Sequence, residues 1–254
     1  MAAGGELQIT YIGHATTLIR LDGFNIITDP IFSERAFISK RFVAPGLDFS
    51  DLPTIHCILV SHAHLDHLDR PTLRKFDKDI PIVIPARTRP LIKRLGFKRI
   101  FELSFWERVK IDEVEITAVP AKHFSRRWLV DFKRGYCGFI VQRNGKTLYF
   151  AGDTGYFPGF IEMGRRFLID VALIPIGAYH PRVTLRHFHV NPMEAVKAFK
   201  DLGAKIMVPI HWGTFRISAE PIDAPLKWLE NIIAAENLQK RIIILKHGES
   251  RCFD

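Results

Sequence analysis

Apolar positions along the chain fall into short blocks of strand length, separated by turn residues. The opening "LQITYIGHATTLIRLDGFNIITDP" is dense in β-branched and aromatic residues, and Asp22-Gly23 marks a hairpin turn within it. "IHCILV" and "PIVIPA" are continuous apolar runs, the pattern of strands buried on both faces. "VEITAVPAKH" alternates and then runs into a histidine. In "GFIVQRNGKTLYFAGD" two strands flank Asn144-Gly145, a pair that favours the tight type I′ turn. "DVALIPIG", "KIMVPIHW" and "RIIILKHG" predict further strands.

Helical periodicity appears between these blocks. "NPMEAVKAFKDLG" has Asn191 as N-cap, Pro192 in the first turn, Glu194 at the capping-box position and Gly203 as a stop. Its apolar residues Ala195, Val196, Phe199 and Leu202 share one face. "PTLRKF", "RPLIKRLG" and "APLKWLENIIAAENL" predict three more helices. Strands crowd the first half, and strands alternate with helices later. That order predicts an α/β (α+β) chain of two sheets covered by helices. No Pro/Gly/Ser-rich linker interrupts it, so residues 1–254 read as a single domain.

Composition narrows the class. With 47% hydrophobic and 25% charged residues, the 254-residue chain has the balance of a globular protein. Its longest apolar runs, such as "VALIPIGAY", fall far short of the roughly 20 residues of a membrane span. The start "MAAGGELQIT" lacks a basic stretch followed by an apolar one, so no secretory signal is expected. Cys57, Cys137 and Cys252 are odd in number and widely spaced, which argues against a disulfide framework and for a reducing, cytoplasmic setting. Cys57 reads as a small buried hydrophobe. The net charge of +9, concentrated in "RTRPLIKRLGFKR", "KHFSRRW" and "FKRG", favours anionic partners without choosing among them.

The candidate chemistry lies in "SHAHLDHLD", where His62, His64, Asp66 and His67 follow the "IHCILV" strand directly. Crowding so many polar groups at a strand exit is costly without a cation. Imidazole and carboxylate together suit zinc, with iron or manganese as alternatives, and the donor number allows one ion or two. Three more candidates end apolar strands: His123 after "VEITAVPAK", Asp153 after "TLYFAG" and His211 after "KIMVPI". Gly152 lets the backbone turn sharply into Asp153.

"HAHLDH" resembles the H-x-H-x-D-H signature of the metallo-β-lactamase fold superfamily, and His123, Asp153 and His211 follow in the order that superfamily uses. "GHATTLIRLDGFNIITDPIFSERA", "AGDTGYFPGF", "IPIGAYHPR", "HVNPMEAV", "HWGTF" and "LKHGESR" look like the branch of N-acylphosphatidylethanolamine-hydrolysing phospholipases D. The resemblance implies a four-layer αββα sandwich with two zinc ions. One would bind His62, His64 and His123, the other Asp66, His67 and His211, with Asp153 and a hydroxide between them. A hydroxide between two cations is a nucleophile at neutral pH, and the ions also offset charge on phosphoryl oxygens. Only Asp66 and Asp153 contribute negative charge, so the site would stay positive, as an anionic phosphodiester requires. The implied reaction is phospholipase D-type hydrolysis of an N-acylphosphatidylethanolamine-like lipid to a phosphatidic acid and an N-acylethanolamine. A lactonase acting on sugar-phosphate lactones and a metallo-nuclease use comparable sites and are the alternatives.

Catalytic candidates are Asp66, within the cluster, and His189 in "RHFHVNP", where the resemblance places an active-site histidine. His187 competes with His189. Asp69 reads either as a support for a ligand histidine or as a helix N-cap. His14, His56 and His247 are expected to make buried structural hydrogen bonds. Tyr179, His180 and Arg182 either approach an anionic substrate or sit in solvated loops. "FISKRFVAPGLDF" and "FSRRWLVDF" mix apolar and basic residues, either as a peripheral membrane surface or as packed loops. The animal enzymes of the branch carry a longer N-terminal extension. The expected partners are therefore a phospholipid or other anionic phosphodiester, a membrane surface and a second copy in a homodimer. No nucleic-acid module is evident.

Overall fold

The structure, a computed structural model, describes residues 5–125 and 134–253. The chain opens with β1 (Leu7–Gly13), β2 (Thr16–Leu21) and β3 (Phe24–Thr28), then a small ribbon of β4 (Arg35–Ala36) and β5 (Ser39–Lys40). β6 (Cys57–Leu59), α1 (Arg70–Lys75), β7 (Ile82–Pro85), α2 (Arg89–Ile92) and β8 (Ile100–Leu103) follow. The second half runs through β9 (Arg108–Ile111), β10 (Val114–Val119), β11 (Gly138–Arg143), β12 (Lys146–Phe150), α3 (Gly159–Arg166) and β13 (Val171–Pro175). α4 (Arg182–Leu185), α5 (Pro192–Leu202), β14 (Ile206–Ile210), α6 (Ala224–Glu236) and β15 (Ser250–Phe253) complete it.

One sheet has the order β15-β1-β2-β3-β6-β7-β8, the other β14-β13-β12-β11-β10-β9. Their facing sides share a core that includes Tyr11, Ile19, Ile26 and Leu59 from the first and Phe139, Val141, Phe150, Leu173 and Val208 from the second. The outer face of the second sheet is covered by Phe160 and Met163 of α3, Phe199 and Leu202 of α5, and Leu229 and Ile233 of α6. Leu73 of α1 and Ile92 of α2 cover the outer face of the first. These four layers are the αββα sandwich expected from the sequence. Burying a side chain such as Phe199 contributes on the order of 2–3 kcal/mol.

Local signals hold in detail. Asp22 (φ 47) and Gly23 (φ 79) make the first hairpin turn, and Asn144 (φ 47) and Gly145 (φ 76) the second. Asn191 Oδ1 accepts from the Glu194 amide at 2.8 Å and Glu194 Oε2 from the Asn191 amide at 3.1 Å, closing the capping box at α5. Cys57 is buried, and burial pushes its thiol up.

Two expectations need correction. "RIIILKHG" is not a ladder strand; it makes a single bridge, Ile242 to Met207, and the last strand is "SRCF". The free edge of β1 is paired by the later strand β15, with Gly248 and Glu249 bonded to Tyr11 just before it. α3, unmarked by the sequence reading, forms because Phe160 and Met163 find a pocket against α5. "FSRRWLVDF" lies almost wholly outside the described residues.

Candidate metal centre

β1, β3 and β6 run the same way, because β1 and β3 each pair antiparallel with β2 and β6 is parallel to β3. β10, β12, β13 and β14 likewise share a direction. Their C-terminal ends therefore meet at one edge of the sandwich, and every candidate ligand leaves one of those ends. Gly152 (φ 59) turns the chain from β12 into Asp153, and any Cβ there would collide with the Ser61 side chain.

All seven sequence-derived residues converge at this edge. His62 Nε2 lies 2.9 Å from His64 Nδ1, and His123 Nε2 lies 3.3 Å from the same atom. Asp153 Oδ2 stands 3.8 Å from His62 Nε2 and 3.2 Å from His67 Nε2, while its Oδ1 is 3.3 Å from His211 Nε2. Asp66 Oδ2 is 3.3 Å from His67 Nε2 and 3.6 Å from His211 Nε2. Among the described residues three donor groups result: His62, His64, His123 and Asp153; His14, Asp66, His67 and His211; and Asp29, His62 and His67. Asp153 faces the first two.

The donor set fits cations. His67 Nε2, His211 Nε2 and Asp153 Oδ1 are buried and have no hydrogen-bond partner, an arrangement that is expensive unless something else binds those lone pairs. Burial holds His62 and His123 well below the usual histidine range, so they stay neutral and keep a lone pair to give. Burial opposes ionisation of Asp66 and Asp153 as well, yet the surrounding histidines hold both carboxyls well below their usual range. Burial also disfavours charge on His67, but the Asp153, Asp66 and Asp29 carboxylates outweigh it and raise His67 well above its usual value. That excess of negative charge is what a bound cation would neutralise.

Outer contacts orient the ligands. His67 Nδ1 donates to Asp29 Oδ2 at 2.6 Å, and Asp29 also accepts from the Ser61 amide and hydroxyl, each at 2.6 Å. His123 Nδ1 donates to the Phe188 carbonyl at 2.9 Å. Such bonds fix the ring and its tautomer. Asp29, at the exit of β3 in "IITDP", escaped the sequence reading although it obeys the same strand-exit rule as Asp153. Of the two readings open to Asp69, a supporting carboxylate or a helix N-cap, the second holds: it caps α1. It accepts from the Thr72 amide at 3.3 Å and hydroxyl at 2.5 Å, and from Ser33 Oγ at 2.6 Å.

His189 is buried beside the cluster, its unpartnered Nδ1 3.7 Å from Asp153 Oδ2. Burial lowers its pKa to about 4. His187 is exposed and takes a hydrogen bond from its neighbour Arg186. Arg182 donates to the His189 carbonyl at 3.0 Å and to Glu194 Oε1 at 2.5 Å, a bracing position that excludes the solvated one. Tyr179 is buried against Trp228, and His180 is exposed. His56 and His247 are half-buried rather than buried, and make structural bonds to the Asn25 amide and to Thr214 Oγ1. His14 is buried and makes one too, but to the candidate ligand Asp66, at 2.9 Å.

The sequence profile of a beta-lactamase superfamily domain matches residues 24–212. The chain belongs to that superfamily. A metal-dependent hydrolase of Pyrococcus furiosus is 30% identical over 246 residues, covering 96% of this chain and 98% of its own. The mitochondrial N-acyl-phosphatidylethanolamine-hydrolyzing phospholipase D of Saccharomyces cerevisiae is 33% identical over 260 residues, 96% of this chain and 56% of its own. This superfamily member spans 56% to 64% of the length of the mycobacterial, yeast and nematode relatives it matches. In three dimensions it resembles a metallo hydrolase of Ignicoccus hospitalis, with a TM-score of 0.75 at 23% identity over 98% of this chain and 99% of that one. The chain has the metallo-β-lactamase fold.

Proposed function

We propose that the chain is a dinuclear zinc phosphodiesterase of phospholipase D type, acting on N-acylphosphatidylethanolamine-like phospholipids. The observation that carries this reading is the adjacent pair of four-residue donor groups, with Asp153 of one within 3.3 Å of His67 and His211 of the other, on a chain with a 33%-identical relative of that named activity. His62, His64 and His123 would hold one cation and Asp66, His67 and His211 the other, with Asp153 offering an oxygen to each. Bound there, the cations would supply a water-derived nucleophile at neutral pH and offset charge on the phosphoryl oxygens.

The chain's own residues do the rest. Asp66 is locked by His14, which leaves its orientation independent of substrate. His189, with its pKa near 4, is neutral at working pH and presents an N–H to a phosphoryl or leaving oxygen as charge grows there. Arg182 and the capping box hold its backbone, so the ring enters the reaction already placed. Water gives up a proton as its oxygen attacks phosphorus, the bond to the ethanolamine oxygen breaks, and that oxygen takes up one proton in return to leave as the N-acylethanolamine.

Mass spectrometry of a total phospholipid extract before and after incubation with the zinc-loaded protein tests this. Phosphatidic acid and N-acylethanolamines should appear together and stop with chelator. If such lipids stay intact while a lactone or an RNA in parallel reactions is hydrolysed, the lipid assignment fails.

A further inference from the structure

Among the described residues up to position 60, the two most exposed large apolar side chains sit at the tip of a tight turn. β4 and β5 pair Ala36 with Ser39, which leaves Phe37 and Ile38 at the tip, 68% and 77% exposed. Phe42, just past the ribbon, is 61% exposed. Phe37 has φ 54, a left-handed conformation that a bulky side chain rarely adopts and that Gly or Asn would take without strain. Arg35 Nη1 braces the turn through the Ile38 carbonyl at 3.1 Å. The tip thus combines backbone strain with apolar area held in water, and neither serves the core.

The surroundings of the tip are basic. Segment 33–43, "SERAFISKRFV", has Glu34 as its one carboxylate against Arg35, Lys40 and Arg41. Arg41 is buried, bonded to the Ile31 and Ser33 carbonyls and lying 4.6 Å over the Phe215 ring, so Arg35 and Lys40 form the exposed basic pair. Ser39 Oγ donates to the Arg216 carbonyl at 2.9 Å, which places exposed Arg216 and Ile217 on the same surface. That surface adjoins the metal centre. The Phe42 amide donates to the Thr214 carbonyl at 2.8 Å, and the Phe215 ring stands edge-on to His14 at 5.3 Å.

We propose that the Phe37–Ile38 tip, with Phe42, Ile217 and the Arg35–Lys40–Arg216 collar, inserts into an anionic lipid surface and seats the metal centre at its edge. This rests on the reading of the substrate as a lipid phosphodiester. Apolar groups enter the interface while basic groups meet headgroup phosphates. A second copy of the chain would set one basic collar against another, whereas anionic headgroups complement it. Among the described residues no helix is long and apolar enough to cross a membrane, so this surface supplies a peripheral attachment.

The test uses the full chain and vesicles free of any N-acyl lipid, so that attachment is read without turnover. The protein should co-sediment with phosphatidylcholine vesicles containing phosphatidylglycerol, at least tenfold more than with phosphatidylcholine alone. The double variant Phe37→Ser/Ile38→Ser should lose that binding while its metal content and hydrolysis of a water-soluble aryl phosphodiester stay as in the parent. Ile38→Trp should show a blue-shifted emission when the phosphatidylglycerol vesicles are added, and this readout does not depend on the double variant folding. The proposal is overturned by equal binding of parent and double variant, by an unshifted Ile38→Trp spectrum, or by a parent dimer that the double variant dissociates. Vesicle binding without lipid turnover would keep this proposal and defeat the substrate reading instead.

Discussion

The backbone N–H of His211 donates to the carbonyl of His14 at 2.7 Å, and the two imidazole rings stand 3.9 Å apart. Both residues hold left-handed backbone, φ 58 at His14 and φ 61 at His211. The bond ties the end of β1 in one sheet to the end of β14 in the other, directly beneath the metal centre. Strain of this kind persists only where neighbours hold it, and here both rings aim at Asp66. His14→Ala should therefore loosen Asp66 and weaken the second metal position, by about 10–100-fold in affinity. Elemental analysis after dialysis should give close to one metal per chain where the parent keeps two. Retention of two with parental affinity would show that His14 is a bystander.

His189 and Asp153 lie on opposite sides of the distinction between chemistry and metal binding. His189→Ala should keep the parent's metal content and lose rate by about 10²–10³-fold, the range for removing one donor aimed at developing oxygen charge. Asp153→Asn should lose metal first, because the amide gives only one weak donor oxygen between two donor groups. Metal content and single-turnover rate measured on the same preparations separate the two. A His189→Ala enzyme at full rate would remove that residue from the mechanism.

Asp29 is fully buried and accepts three hydrogen bonds, from Ser61 twice and from His67. Asp29→Ala leaves those donors unpaired and should lower stability by about 3 kcal/mol, with a matching loss of metal affinity. Denaturant unfolding in the presence of chelator reads the first effect separately from the second. Unchanged stability there would mean that the pocket readily admits water.

The pH dependence of stability follows from His247. Burial, and then the charge of Arg41, lowers its pKa from an ordinary 6.5 to about 4. The folded chain binds that proton less readily than the unfolded one, so the contribution is complete above pH 6.5 and is lost as pH falls towards 4. The ring is partly exposed, and solvent screening limits the effect to about 1 kcal/mol. His247→Gln should flatten the fall in melting temperature between pH 7 and pH 5, on the chelated protein. An identical slope in parent and variant would assign the acid limb to other groups.

Much of the architecture was legible because its signals are local. The Asp22-Gly23 and Asn144-Gly145 turns, the Asn191–Glu194 capping box and the apolar run "IHCILV" each depend on a few neighbouring residues, whose backbone preferences act whatever surrounds them. "RIIILKHG" carried the same apolar signal yet does not join the sheet, because β14 offers it a single bridge and the free edge of β1 is filled by β15. The helix of "GFIEMGRR" lacks a capping side chain and depends on the Phe160 and Met163 contacts with α5.

The site divides in the same way. The sequence by itself named the candidate ligands, since His62, His64, Asp66 and His67 are neighbours in the chain and His123, Asp153 and His211 each end an apolar strand. It could not say that His14 and Asp29 stand among them, or choose between the two roles open to Asp69. Those outcomes depend on which strand ends meet at the edge of the sandwich, and on which carboxylate the His67 ring faces once they have met. Hydrogen-bond partners 38 or 52 residues apart, as between Asp29 and His67 or His14 and Asp66, leave no periodicity in the chain. Only the packing of one sheet on the other brings them within reach.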